Sequence, residues 1–429
     1  MRRPAPPGRP RRRPAARAVL VVAALAAPVA ACGGSGGDAI RWFVGQEYSG
    51  AYRQAAQACT DAAGGRYRIV LEELPRSSDQ QREQLVRRLA ARDRTVDVLG
   101  LDVIWTAEFV QAGWLRPWEG ERATAVSRGV LVGPLATATY QGRLWAAPFT
   151  SNTQLLWYRK SRLPRPAATW AGLIAQAEAL PDGQNVVAVQ GGRYEGYTVW
   201  VTSLLASAGT GLVADPADPE RARAELADGP ARQALEVLRR LARSRVADPG
   251  LSAATELTTR QLVLSGQAAA TVAYPTLWAS ARQEAPEVFA DLGYARYPAV
   301  TADRPGRPPL GGVNLGVSAY SPHPEEAFAA ATCLRGAANQ KLAALQGGLP
   351  PALDAVYDDP DLVRAYPFGD LLRTSIAGAV PRPRTPAYPD VSRAVLQVLH
   401  PPSEVDPAAA VPRLRATVDA ALKSQALLS

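Results

Sequence analysis

The sequence predicts an α/β fold with parallel-rich sheets flanked by helices. Three features predict it. Short apolar strands alternate with amphipathic helices; this alternation recurs in two successive regions; and the proline-rich pieces, 304–309 and 380–389, are too short to separate independent domains. The first region opens with a buried strand over 40–44. An Ala/Gln-rich helix follows over 51–63, stopped by Gly64-Gly65. Residues 67–74 alternate as a strand. Ser78 or Asp79 then caps a helix to residue 91 that carries Leu85, Val86 and Leu89 on one face. A buried strand over 96–101, a helix over 106–112 ended by Gly113, and a hairpin over 140–147 turning at Gln141-Gly142 complete it.

The second region begins with a strand over 150–158 and a helix from Thr169 to Leu180. A strand over 186–189 leads to helices over 197–208 and 229–243, and a helix over 257–265 to a buried strand over 268–273. Strands over 292–297 and 311–319, a proline-capped helix over 324–335, short helices after Gly347-Gly348 and a helix over 411–428 close the chain. No repeat of 20–50 residues is present.

At 429 residues the chain holds two or three domains of roughly 100–200 residues each. With 47% hydrophobic and 20% charged residues it is neither disordered, nor a coiled-coil rod, nor a polytopic membrane protein. The net charge of +9 is concentrated at one end: seven arginines fall within residues 1–31 with no acid or lysine, leaving a body of +2. Such a body offers no phosphate-binding surface, so a nucleic-acid partner is not expected. The basic 1–17 and the short apolar run 18–29 read as an export signal rather than a membrane span. Outside the cytosol the two body cysteines, Cys59 and Cys333, are expected to pair, which requires their helices to pack side by side; two separate buried thiols is the other reading.

Catalytic patterns are scarce. His323 and His400 lie among prolines without a nucleophile nearby, and there is no Gly-x-Ser-x-Gly, phosphate loop or dinucleotide fingerprint. The tight acid cluster Asp358-Asp359-Pro360-Asp361 reads as helix-capping acids on a solvated surface, so no metal and no cofactor is expected. A different pattern recurs: aromatics beside polar residues at strand ends, in 102–105, 151–154, 193–197 and 273–275. Flat aromatic faces cover the C–H side of a pyranose, and carboxylates, amides and guanidinium groups satisfy its hydroxyls. In an open α/β sheet such groups collect at the carboxyl ends of strands.

Ordered stretches along nearly the whole body carry a resemblance. They are Arg66-Tyr67-Arg68-Ile69, residues 94–98 running into 101–109, Asn152-Thr153-Gln154-Leu155-Leu156-Trp157-Tyr158, Gly311-Gly312-Val313-Asn314-Leu315, the helix to Cys333-Leu334-Arg335, Gly347-Gly348-Leu349-Pro350 and Arg382-Pro383-Arg384-Thr385-Pro386. In these the chain resembles the maltose/trehalose-type sugar-binding lipoproteins of bacterial ABC importers, and within them the trehalose-binding lipoproteins of actinobacteria. Small residues before Cys32 resemble a lipobox, which implies lipidation of Cys32 and a membrane anchor, with 1–31 as signal peptide and 32–39 as tether.

The resemblance implies a two-lobed, type II periplasmic-binding-protein-like fold, each lobe discontinuous. Lobe 1 would hold 40–147 plus 312–350, with both cysteines, and lobe 2 would hold 148–311 plus 351–429; crossings are expected near Ala147, Gly311 and Pro350. It also implies a monomer that binds a disaccharide without making bonds, closes around it and docks on a permease pair with a cytoplasmic ATPase. By position, Asp102 accepts sugar hydroxyls from lobe 1, Asn152 donates and accepts beyond the first crossing, and Glu195 is the acid of lobe 2. Gly312 gives close backbone approach, Arg382 a forked donor, Glu47 and Gln81 face the cleft from early loops, and Tyr274 stands where relatives carry Trp. Tyr48 replaces an acidic or amide neighbour of Glu47, and the stretch after Trp278 is shortened, so the choice of disaccharide stays open. Two further readings remain: a binder of another oligosaccharide or polar solute on the same scaffold, and an extracellular glycosidase using two acids.

Overall fold

Residues 37–181 and 185–426 are described by a computed structural model of the chain. The signal, Cys32 and most of the tether expected from the sequence therefore lie outside the described residues, as does the end of the C-terminal helix.

The strands are β1 (Asp38–Gly45), β2 (Tyr67–Leu74), β3 (Val98–Asp102), β4 (Thr139–Tyr140), β5 (Arg143–Leu144), β6 (Ala146–Thr153), β7 (Leu155–Arg159), β8 (Val186–Ala188), β9 (Val213–Ala214), β10 (Arg223–Ala224), β11 (Ala268–Ala273), β12 (Leu292–Ala295), β13 (Pro309–Val317) and β14 (Val380–Pro381). Two main sheets result. The first runs β14-β13-β3-β1-β2, with β6 also on β13; the second runs β12-β7-β11-β8. In the first, β1 pairs in parallel with β2 and β3. Central parallel strands are covered on both faces, which is why β3 reads as a continuous apolar run, Val98-Leu99-Gly100-Leu101, until Asp102 emerges at its end.

The helices Ala51–Ala62 and Pro324–Leu334 pack on this sheet around Trp42, Tyr52 and Phe149. They carry Cys59 and Cys333, which form a disulfide across 274 residues of sequence with Cα atoms 5.8 Å apart. Cys59→Ala with Cys333→Ala is expected to lower the unfolding free energy by about 2–4 kcal/mol, read from denaturant titration under non-reducing conditions. Equal midpoints for parent and double variant would remove the bridge from the stabilising contacts.

Around the second sheet, the helices Glu195–Ala208, Asp228–Arg243, Tyr388–Leu399 and Pro407–Ala426 contribute to one apolar core with Trp170, Trp200 and Tyr197. A neighbouring core gathers Trp157, Trp278 and Phe368.

Residues 150–158, expected as one strand, are two. The chain breaks at Gln154, with β6 in the first sheet and β7 in the second. Pairing of β6 with β13 continues to Thr153 opposite Leu310, so the chain leaves the first sheet there rather than near Ala147. Residues 148–153 and 309–311 thus both belong to the first sheet, whereas the sequence placed them in lobe 2. Residues 350–351 run alongside: Ser151 N donates to Pro350 O at 2.8 Å, and Thr150 bridges Pro351. The three stretches around the expected crossings, 150–153, 309–312 and 350–351, therefore lie as neighbours.

The expected hairpin forms between β4 and β5, with Gln141 at φ 48° and Gly142 at φ 73°. Ser77, not Ser78 or Asp79, occupies the N-cap position of the helix Ser78–Ala90.

Candidate ligand-binding cleft

The two sheets bring together side chains far apart in sequence. Asp102 stands where β3 ends, and its Oδ1 accepts from Ile104 N at 3.2 Å. Glu195 is the first residue of the helix Glu195–Ala208. Arg382 follows β14 and joins the two: Nη2 donates to Asp102 Oδ1 at 3.0 Å, and Nη1 donates to Glu195 Oε1 at 2.6 Å. The side chains of Arg382 and Glu195 are 4% and 8% exposed, that of Asp102 25%. Tyr388 also donates to Glu195 Oε1, and Ser392 Oγ donates to Glu195 Oε2 at 2.9 Å.

Burial pushes the Glu195 carboxyl up, opposed by the Arg382 guanidinium and the Tyr388 hydroxyl. Burial works against the Arg382 charge, but Asp102 and Glu195 beside it hold its pKa well above the usual value. The sequence anticipated a forked donor at 382 and an acid at 195. The structure gives the fork to two carboxylates of the protein itself and fills Glu195 with three donors. Asp102 is the acid of this trio that keeps solvent-facing surface.

Tyr274 follows β11, and its ring packs over Gly311, which pairs with Asn152. Burial pushes the Tyr274 hydroxyl up, with Arg382 opposing and Glu256, Asp102 and Glu195 adding to it, so these groups share one electrostatic neighbourhood. Asn152 Oδ1 is buried with no hydrogen-bond partner among the described residues. Gly312 adopts φ +136°, and a Cβ there would lie 2.3 Å from Thr150 O. Its close approach is therefore to the neighbouring strand β6, where the sequence reading had it serve a ligand.

Glu47 and Gln81 stand apart from this cluster. Glu47 Oε1 accepts from Ser49 N at 2.6 Å and Oε2 from Tyr52 N at 3.4 Å, closing the turn into the helix Ala51–Ala62. Gln81 lies against Gly45 at the end of β1 and donates to Arg76 O at 3.4 Å.

Three further residues, Asp79, Tyr194 and Glu256, were not among the site residues expected from the sequence. The Asp79 carboxyl lies beside the backbone N–H of Glu195; burial pushes its pKa up, and that N–H and Arg82 oppose the shift. It thereby supplies the start of the helix Glu195–Ala208 with an anion that the N-cap residue Tyr194 does not provide. The Tyr194 hydroxyl accepts from Glu256 N at 2.9 Å. Surrounding protein pushes the Glu256 carboxyl up, with Arg260 opposing, although the residue keeps exposed surface. It lines a small cavity with Arg260, Tyr274 and Thr276. Only the folded chain brings 79, 194 and 256 to the same place.

Among the described residues, no group of three or more His, Cys, Asp or Glu is placed to hold a metal ion, and no helix is long and apolar enough to cross a membrane.

This is the mixed α/β, two-lobed architecture of the type II periplasmic binding proteins. It matches maltose-bound MalE3 of T. maritima with a TM-score of 0.80 at 24% identity, over 89% of this chain and 98% of that one. It also matches the GacH receptor of Streptomyces glaucescens GLA.O, solved unliganded and with acarbose, with a TM-score of 0.77 at 19% identity, over 90% of this chain and 99% of that one. A probable ABC transporter-binding protein of Deinococcus radiodurans is 28% identical over 345 residues, 78% of this chain and 80% of the relative. Residues 51–341 match the bacterial extracellular solute-binding protein family, and the chain belongs to that family. It is an exported binding protein and not an enzyme.

Proposed function

We propose that this protein is the lipid-anchored receptor of an ABC sugar importer. It captures an α-linked disaccharide of the trehalose kind between its lobes and delivers it, as a monomer, to a permease pair driven by a cytoplasmic ATPase. The anchor is Cys32, by its lipobox-like setting. Asp102, Asn152 and Tyr274 contact the sugar. Arg382 and Glu195 hold Asp102 in place, Glu47 and Gln81 shape the rim, and Gly312 lets β13 pass close to β6 beside Asn152.

One observation carries the sugar reading. Both terminal nitrogens of Arg382 are committed to Asp102 and Glu195, so the cleft presents carboxylate and amide groups beside a tyrosine ring instead of a free cation. That surface suits a neutral polyol with apolar C–H faces and not an anion. The maltose complex of MalE3 and the acarbose complex of GacH agree with it in ligand class. The mechanism is a population shift: a ligand touching both lobes favours the closed form by the difference in its affinity for the two forms.

Calorimetric titration with trehalose, maltose and sucrose tests the reading. Saturable heat with trehalose is the expected result. Binding of another disaccharide alone would reassign the cargo, and silence across the panel from folded protein would overturn the disaccharide reading.

A further inference from the structure

Residues 333–335 belong to the stretches that carry the family likeness, yet Arg335 has no place among the cleft residues. It ends the helix Pro324–Leu334 and is 7% exposed. Burial lowers its pKa, and among the described residues no carboxylate opposes that shift. A buried guanidinium without a counter-charge is costly, so its hydrogen bonds are informative. Nε donates to Pro148 O at 3.3 Å. Pro148 stands at an irregularity of β6: Thr150 pairs with Val313 and Pro148 with Asn314, which leaves Phe149 as one extra residue. Such a bulge interrupts the ladder and bends the strand. Beside it Val313 N donates to Thr150 Oγ1 at 3.1 Å.

The main chain of Arg335 carries the connection onward. Its carbonyl accepts from Gln340 Nε2 at 2.6 Å. Gln340 is fully buried in the helix Ala337–Gly347, and its Oε1 accepts from Ala352 N at 2.8 Å and Leu353 N at 3.0 Å. The same stretch is tied to residues 129–131: Leu131 N donates to Ala352 O and Asp354 N to Gly129 O, both at 2.9 Å. With Ser151 N on Pro350 O, residues 148–153 and 350–354 form one seam against the first sheet. Directly after this seam, at Gln154, the chain passes to the second sheet.

We propose that Arg335 and Gln340 are the brace of this seam: they keep 148–153 and 350–354 rigid with the first lobe, so that closure bends the chain at Gln154 and not within the seam. This rests on the receptor reading above, in which the lobes close on ligand. Both are positioning residues, acting on affinity only through the alignment of the lobes. A loosened seam lowers the fraction of molecules ready to close, and apparent affinity falls with that fraction.

Hydrogen–deuterium exchange of the purified protein, with and without saturating trehalose or maltose, tests this for the parent, Gln340→Met and Arg335→Lys. In the parent, peptides covering 149–153 and 350–354 should exchange alike in both conditions, while the peptide covering 154–156 should change. Gln340→Met should speed exchange at 352–353 by about three- to tenfold and weaken sugar binding to a similar extent with every cleft side chain intact. Its unliganded radius of gyration should exceed the parent's, and saturating sugar should restore it, which a general loss of structure would not allow. Arg335→Lys keeps the main-chain bond to Gln340 and loses the Nε donor, so it should loosen 149–153 and spare 352–353; it decides the matter if Gln340→Met does not fold. Ligand-dependent exchange within the seam, or variants that match the parent in exchange and affinity, would overturn the brace and leave the sugar receptor standing. Absence of binding by either sugar would overturn the disaccharide reading. The brace is then decided by unliganded exchange and scattering, where variants indistinguishable from the parent would overturn it and faster exchange within the seam would support it.

Discussion

Asp102→Ala is expected to weaken sugar binding by about tenfold to a hundredfold while the protein stays folded. Hydrogen bonds to a charged group contribute about 1.5–3 kcal/mol each, and tenfold in affinity corresponds to about 1.4 kcal/mol. Asp102 is the member of the trio with solvent-facing surface, and Oδ1 alone accounts for its bonds to Ile104 N and Arg382. Oδ2 is therefore the oxygen available to hydroxyls of a ligand. Folding survives because Arg382 keeps Glu195 as a counter-charge at 2.6 Å. Paired measurements check this: calorimetric affinity for the cargo, and thermal unfolding of the unliganded variant. Unchanged affinity would remove Asp102 from the ligand set. Lost affinity with a collapsed melting curve would make it a structural residue.

Arg382→Met is expected to act on stability first. It leaves Glu195 buried at 8% exposure without its cation, held only by Tyr388 and Ser392. Removing one partner of a buried ion pair costs about 3–5 kcal/mol, whereas replacing both partners with uncharged groups is often neutral. Glu195→Gln in the Arg382→Met background should therefore recover most of the loss, and a double-mutant cycle measures the coupling.

The single variant also predicts a pH dependence. Burial already raises the Glu195 pKa above its ordinary 4.5, and loss of Arg382 removes the main opposing influence. The folded form then binds more protons than the unfolded chain, so stability falls as pH rises above that ordinary value toward the raised one. The defect of Arg382→Met should be larger at pH 8 than at pH 5, and the double variant should lose this slope. Denaturant midpoints at the two pH values decide it. A pH-independent defect would mean that Arg382 stabilises through packing rather than charge.

Much of the cleft was legible in the chain. Asp102 closes an apolar strand, and Asn152, Tyr274 and Arg382 lie in stretches where aromatic and polar residues cluster or where the family resemblance is strong. The cysteines were legible as a pair because an exported chain with two thiols in helical segments has few other uses for them. Glu256 and Asp79 were not. An acid at a helix start reads as a local cap, and nothing in its neighbours shows that Asp79 reaches the backbone of Glu195, more than a hundred residues away.

The α/β class, the alternation of elements, the separation of a basic leader from a near-neutral body, and the family likeness can all be read along the chain. These depend on periodicity, composition and local order along the chain. Tertiary structure alone decided that β6 and β7 break at Gln154 into different sheets, that Gly312 serves the passage of β13 past Thr150, and that Arg382 is held between two carboxylates. The physical reason is common to all three. Strand pairing and ion pairing are contacts between distant segments, and their energies depend on which partner the fold delivers, information no window along the chain contains.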